Sequence, residues 1–91
     1  MSMRFVLLAG LLALPAIAQA DDRAAASACS AKLSTDGRTI YDKVAPTVTA
    51  RTDLKEAIAE VARPMVMHGT LTRDAARHAG EAAGECLYHL K

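Results

Sequence analysis

Aromatic residues are nearly missing from this chain, which has no tryptophan, one phenylalanine and two tyrosines in 91 residues. Beyond residue 20 only Tyr41 and Tyr88 remain, so there is no platform on which nucleobases can stack. An excess of one charge is missing as well. Eleven Lys and Arg stand against ten Asp and Glu, and the two signs are interspersed without the dense basic face of a nucleic-acid binder. Neither cysteine belongs to a Cys-x-x-Cys motif or a βαβ pattern, which removes a thioredoxin-like redox role. Ser27, Ser30 and Ser34 lack a nucleophile elbow and a nearby histidine, and no pair of carboxylates marks a cleft. So short a chain also has little volume for a pocket of several hundred Å³. The sequence therefore reads as non-catalytic, with no cofactor expected.

A long hydrophobic run is missing too, although a short one is present. Arg4 precedes an apolar stretch from Phe5 to Ala18, containing Pro15, which leads into Ala18-Gln19-Ala20. A positive start, a hydrophobic middle and a small-residue end follow in the order of a secretory signal. At about 14 residues the run is shorter than the roughly 18 to 20 needed to span a bilayer, and Asp21 and Asp22 follow at once. We expect a signal peptide over residues 1–20, cleavage before Asp21, and a single helical domain over residues 21–91 in the periplasm or outside the cell. Stable membrane insertion after cleavage is not expected. Removing Arg4 leaves ten basic residues against ten acidic ones, a net charge of zero.

Two cysteines, Cys29 and Cys86, lie near opposite ends of that domain. An even count in a short exported chain reads as a disulfide, and two cysteines allow one intramolecular pairing. The need is physical. About 71 residues make a marginal core, and alanine, which fills much of this one, gains little on burial.

Almost every segment favours helix. Asp21 or Asp22 is the expected cap of a first helix, in which Ala25, Cys29 and Leu33 recur at helical spacing. The stretch STDGRTIYDKVAP predicts a second, shorter helix with Ile40, Tyr41 and Val44 on one side, stopped by Pro46. TVTAR is β-branched and reads as an extended connection. Thr52 or Asp53 opens a third helix, with Glu56 three places after Asp53 and a stripe of Leu54, Ile58, Val61 and Met65. Pro64 predicts a kink or a break in it, and Gly69 its end. A fourth helix is expected from the Thr72 cap to Leu90, with Ala75, Ala79, Ala82, Ala83, Cys86 and Leu90 on its apolar face. Ala76, Gly80 and Gly84 recur every four residues beside that face and form a groove of small residues in which another helix can pack closely. The fold expected is all-α, a small three- to four-helix bundle stapled by Cys29 and Cys86.

Two groups of residues have metal-ligand chemistry. Met65, Met67 and His68 offer thioethers and an imidazole, a set suited to copper in an exported protein. On a helix, however, Met65 turns toward the core and Met67 lies about 200° away. His78, Glu81, Glu85 and His89 follow at spacings of three, four and four, which places them on one helical stripe. Imidazole and carboxylate can hold zinc or copper(II), but His78 and His89 are about 16 Å apart along the axis, so only neighbours can share an ion. A solvated polar face accounts for the stripe equally well.

The segments CSAKLSTDGRTIYDKVAP and LKEAIAEVARPMVMHGTLTRDAARHAGEAAGECL together resemble a group of small exported bacterial proteins of unknown function. Shared features are an alanine-rich start with a cysteine, a Tyr-Asp dipeptide and a late Ala-Gly-x-Cys-Leu, carried here by Cys29, Gly37, Ile40, Tyr41, Asp42, Gly69 and Cys86. This resemblance implies export and a helical fold but no activity. Size, helicity and one disulfide also resemble periplasmic acid-stress chaperones and small helical immunity proteins. Two functions follow as expectations. One is an interaction module, as chaperone, inhibitor or accessory, meeting a protein partner or a second copy through Tyr88, Leu87 and the Gly80/Gly84 groove. The other is a periplasmic copper- or zinc-binding protein using the residues named above.

Overall fold

The computed structural model describes residues 14–91, with side chains from Asp22 onward. The expected signal peptide and its cleavage point lie outside the residues whose side chains are described. Among the described residues there are four α-helices and no strand: α1 (Leu14–Ala31), α2 (Thr35–Val44), α3 (Leu54–Met67) and α4 (Arg73–Leu87). Short 3₁₀ turns follow α2 at Ala45–Thr47 and α4 at Tyr88–Leu90.

The α1 backbone runs through Asp21 and Asp22, so neither aspartate caps it as expected. Alanine, the strongest helix former, flanks the pair on both sides and carries the helix across it. Ala26 rather than Ala25 is the buried alanine, on the same side as Cys29 and Ser30. The buried Ser30 hydroxyl donates to the Ser27 carbonyl at 2.8 Å, which satisfies it within the helix.

Ser34 caps α2 by accepting from the Gly37 amide at 3.1 Å, and Gly37, Ile40, Tyr41 and Val44 form the buried face. Pro46 follows in the 3₁₀ turn. The link to α3 is not extended throughout. Thr52 N–H donates to the Thr49 carbonyl at 3.1 Å, and Thr49 N–H donates to the Thr52 hydroxyl at 2.7 Å. Threonine hydroxyls bonding nearby backbone close a turn where β-propensity alone predicts an extended connection.

Asp53 caps α3 by accepting from the Glu56 amide at 3.2 Å. The helix is not broken at Pro64, which lies inside it. A proline removes one donor, and here the next turn is held from below: the Pro64 carbonyl accepts from His68 at 2.9 Å. The end is then closed twice. Gly69 N–H donates to Val66 at 3.0 Å and Thr70 N–H to Met65 at 2.9 Å, with Gly69 at φ +78°. This is the Schellman arrangement, which needs a left-handed residue just past the helix and so takes glycine.

Thr72 caps α4 by accepting from the Ala75 amide at 3.1 Å. The α-helix ends at Leu87, three residues before the expected end at Leu90, and tightens into the 3₁₀ turn. Its buried residues are Ala76, Ala79, Gly80, Ala83, Cys86 and Leu87, so the face is rotated from the expected one, with Ala75 and Ala82 only half-buried.

Helix α4 is the centre of the bundle and touches each of the other three, α2 most extensively. Ile40, Val44, Leu87 and Cys86 are the largest fully buried side chains. The disulfide Cys29–Cys86 staples α1 to α4, with Cα atoms 5.3 Å apart. Helix α3 packs on the outside of α4 and has no buried residue. No helix among the described residues is long and apolar enough to cross a membrane.

Candidate functional site

The apolar surface of α3 is wider than the core requires. Leu54, Ile58, Val61 and Met65 pack against the core cluster. Ala59, Ala62 and Val66 repeat the Ile58, Val61 and Met65 spacing one residue later, about 100° further around the helix. All three are half-buried and Ala62 also packs against the core cluster, yet each lines the open side of α3. With α4 it bounds an open trough of about 900 Å³, whose floor includes Ile58, Ala62 and Val66 from α3 and Ala76, Gly80 and Gly84 from α4. The expectation that a chain this short has little room for a pocket is overturned. Two helices side by side make a trough without enclosing it, so no large core is needed.

Gly80 and Gly84 set the depth of the trough. An added Cβ would lie 3.0 Å from Ile58 Cγ2 at Gly80 and 3.3 Å from Ile58 Cδ1 at Gly84. The line of small residues is therefore occupied by Ile58, and these glycines bring α3 against α4. The open surface of the trough lies above them.

Charges line the rims. Lys55 and Arg63 stand on the α3 side, Arg73, Arg77 and Glu81 on the α4 side, and all five are exposed. Four cations and one anion line the trough, a net +3 that becomes +1 once the two carboxylates pairing with Arg63 and Arg77 are counted. Arg77 pairs with Asp74 at 2.7 Å and Arg63 reaches Glu56 at 4.0 Å, both pairs open to solvent and so weakly held. Sequence reasoning named the α4 wall of this site, Ala76, Gly80 and Gly84, and missed its α3 wall and its cationic rims. Its signal was present as the displaced second stripe of α3, but the cations come from two helices and look interspersed along the chain.

The two methionines are not presented together. Met65 packs against the core cluster, whereas Met67 is 84% exposed at the trough's end, and His68 is exposed at the α3 C-cap. His78, Glu81 and Glu85 are exposed on α4. His89 falls in the 3₁₀ turn, past the α-helix that was expected to align it with them. Among the described residues no cluster of three or more His, Cys, Asp or Glu side chains is placed to hold a metal ion.

Two expected contact residues part company. Leu87 is fully buried and is core, not partner surface, because α4 turns it toward α2 and α1, while Tyr88 is 70% exposed. Of the serines, Ser30 bonds Ser27 and Ser34 caps α2. No protein-family model, curated protein or solved structure matches the chain.

Proposed function

We propose that this protein is a small exported, non-catalytic interaction module that holds a protein partner in the α3–α4 trough, as a chaperone-like or accessory component. The observation that carries the reading is the open, largely apolar trough between α3 and α4. A helix with no buried residue and an apolar face left open beside cationic rims has surface to spare for a partner. Export is supported by the signal-like start and by the disulfide, since disulfides persist in oxidising compartments. The separation of Met65 from Met67 and the exposure of the His/Glu stripe leave copper or zinc handling without a favouring observation.

A photoreactive amino acid placed at Met67 or Arg73, with Asp42 on α2 as the control position, tests the reading in the producing cell. A discrete protein adduct from the two trough positions and none from Asp42 is the expected result. Equal adducts from all three, or none, would refute it. The intact mass of unreduced protein from the exported fraction should fit residues 21–91 less two hydrogens; an uncleaved or reduced chain would refute the exported form.

A further inference from the structure

We infer that the trough accepts one acidic amphipathic helix of another protein, its apolar stripe seated over Ile58, Ala62 and Val66 and its carboxylates flanked by Arg63, Arg73, Arg77 and Lys55. The inference rests on the proposed reading of the trough as a partner site and adds the chemistry of the partner.

Dimensions favour a helix. The trough follows α3, whose 14 residues extend about 21 Å at 1.5 Å per residue. A helix about 10 Å across and of that length displaces roughly 1,600 Å³. The trough, at about 900 Å³, takes about half of it. That is how an amphipathic helix sits in a groove, apolar side down and polar side in water.

Charge selects an acidic one. Residues 21–91 carry ten charges of each sign, yet the trough gathers four cations and one anion. Lys55 and Arg73 have no carboxylate within 4.0 Å among the described residues, and the Arg63 and Arg77 side chains are 67% and 66% exposed despite their pairs. Each guanidinium has five donors, so one carboxylate on its own chain leaves most of them for a partner. A second copy meeting trough to trough would set one net positive face against another, which like-charge repulsion disfavours. A single-chain anionic amphiphile has its charge at one end, whereas cations stand on both rims and at both ends of this trough, and its tail would remain half in water.

The test uses two synthetic capped peptides of about 14 residues with the same leucine stripe at helical spacing, one flanked by Glu and the other by Lys. Binding to the full disulfide-bonded protein is followed by amide chemical shifts and by peptide anisotropy. Expected is binding of the Glu peptide about tenfold or more tighter than the Lys peptide at low salt, with shifts confined to α3 and α4. The double variant Arg63→Glu/Arg73→Glu, whose side chains are exposed, should keep its circular dichroism and reverse the preference. Equal binding of the two peptides, binding of neither, or a preference unchanged in the double variant would overturn the inference. So would trough shifts with oleate and none with the Glu peptide, which would assign an amphiphile, or a dimer strengthened by the double variant, which would assign a second copy. A trough cross-link to a protein together with no Glu-peptide preference removes the inference and leaves the broader reading standing; failure of both removes both.

Discussion

At Gly80, Gly84 and Gly69 the same substitution meets three different environments. At Gly84 an added methyl meets Ile58 Cδ1 at 3.3 Å, a side-chain terminus that can swing aside, and replacing glycine inside a helix gains about 1 kcal/mol. At Gly80 it meets Cγ2 at 3.0 Å, an atom fixed to a β-branched carbon. Overpacking of roughly 1–3 kcal/mol then exceeds the propensity gain. At Gly69 nothing lies within 4 Å, but φ is +78°, which costs a side chain about 1–2 kcal/mol. We expect Gly84→Ala to be neutral or stabilising, and Gly80→Ala and Gly69→Ala each to destabilise by about 1 kcal/mol. Urea unfolding of the three variants checks this. Ile58→Leu, which removes Cγ2, should rescue Gly80→Ala and leave Gly69→Ala unchanged.

Tyr41 supplies a pH dependence at the same scale. Burial, and then the neighbouring Asp42, raise its phenol above the usual value of 10.0, so the folded state favours the neutral form. Its contribution is fully present below the unfolded value and is lost as pH rises through the raised one. The urea midpoint should fall between pH 9 and 11 in the wild type and fall less in Tyr41→Phe. Equal losses would show that other groups govern the alkaline limit.

At the scale of elements, the starts of α2, α3 and α4 were legible because a cap is a local event. Ser34, Asp53 and Thr72 each accept from an amide three residues on, and nothing beyond the neighbouring turn is needed to recognise them. The α1 start and the α4 end were misread, because continuation through Asp21 and Asp22 and tightening after Leu87 depend on flanking helix and on packing. Pro64 likewise looks disruptive in sequence, yet α3 persists through it and closes on Gly69.

The two caps flanking the trough should report different things. Removing either one costs about 1 kcal/mol, but α4 is the central helix and α3 has no buried residue. Thr72→Ala should lower global stability by that amount. Asp53→Ala should chiefly speed hydrogen exchange in α3, whose amides are expected to be the least protected of α2, α3 and α4. Uniform protection across the three would contradict the layered picture.

For the whole molecule the decisive bond is Cys29–Cys86. It joins residues 57 apart in sequence, and closing a loop of that length removes about 4 kcal/mol from the unfolded chain's favour in the entropic account. Few large side chains are fully buried, namely Ile40, Leu87, Val44 and Cys86, so the bundle has little else of comparable size. Cys29→Ala/Cys86→Ala should lose about 3–4 kcal/mol in urea unfolding and approach the unfolded state at 37 °C. A loss under 1 kcal/mol would show that alanine packing alone sustains the fold.

The sequence by itself determined the helical segments, the capped starts of α3 and α4, the all-α class and the cysteine pair, because periodicity, capping chemistry and cysteine parity act over a few residues or allow one solution. Only the tertiary structure decided that α4 is the central helix, that Leu87 is core, that Ile58 occupies the small-residue line, and that a cationic trough remains beside it. Those depend on the rotation of each helix about its axis, which the packing of all four settles together. One residue's turn, about 100°, separates the Ile58, Val61 and Met65 stripe read in the sequence from the Ala59, Ala62 and Val66 stripe that lines the site.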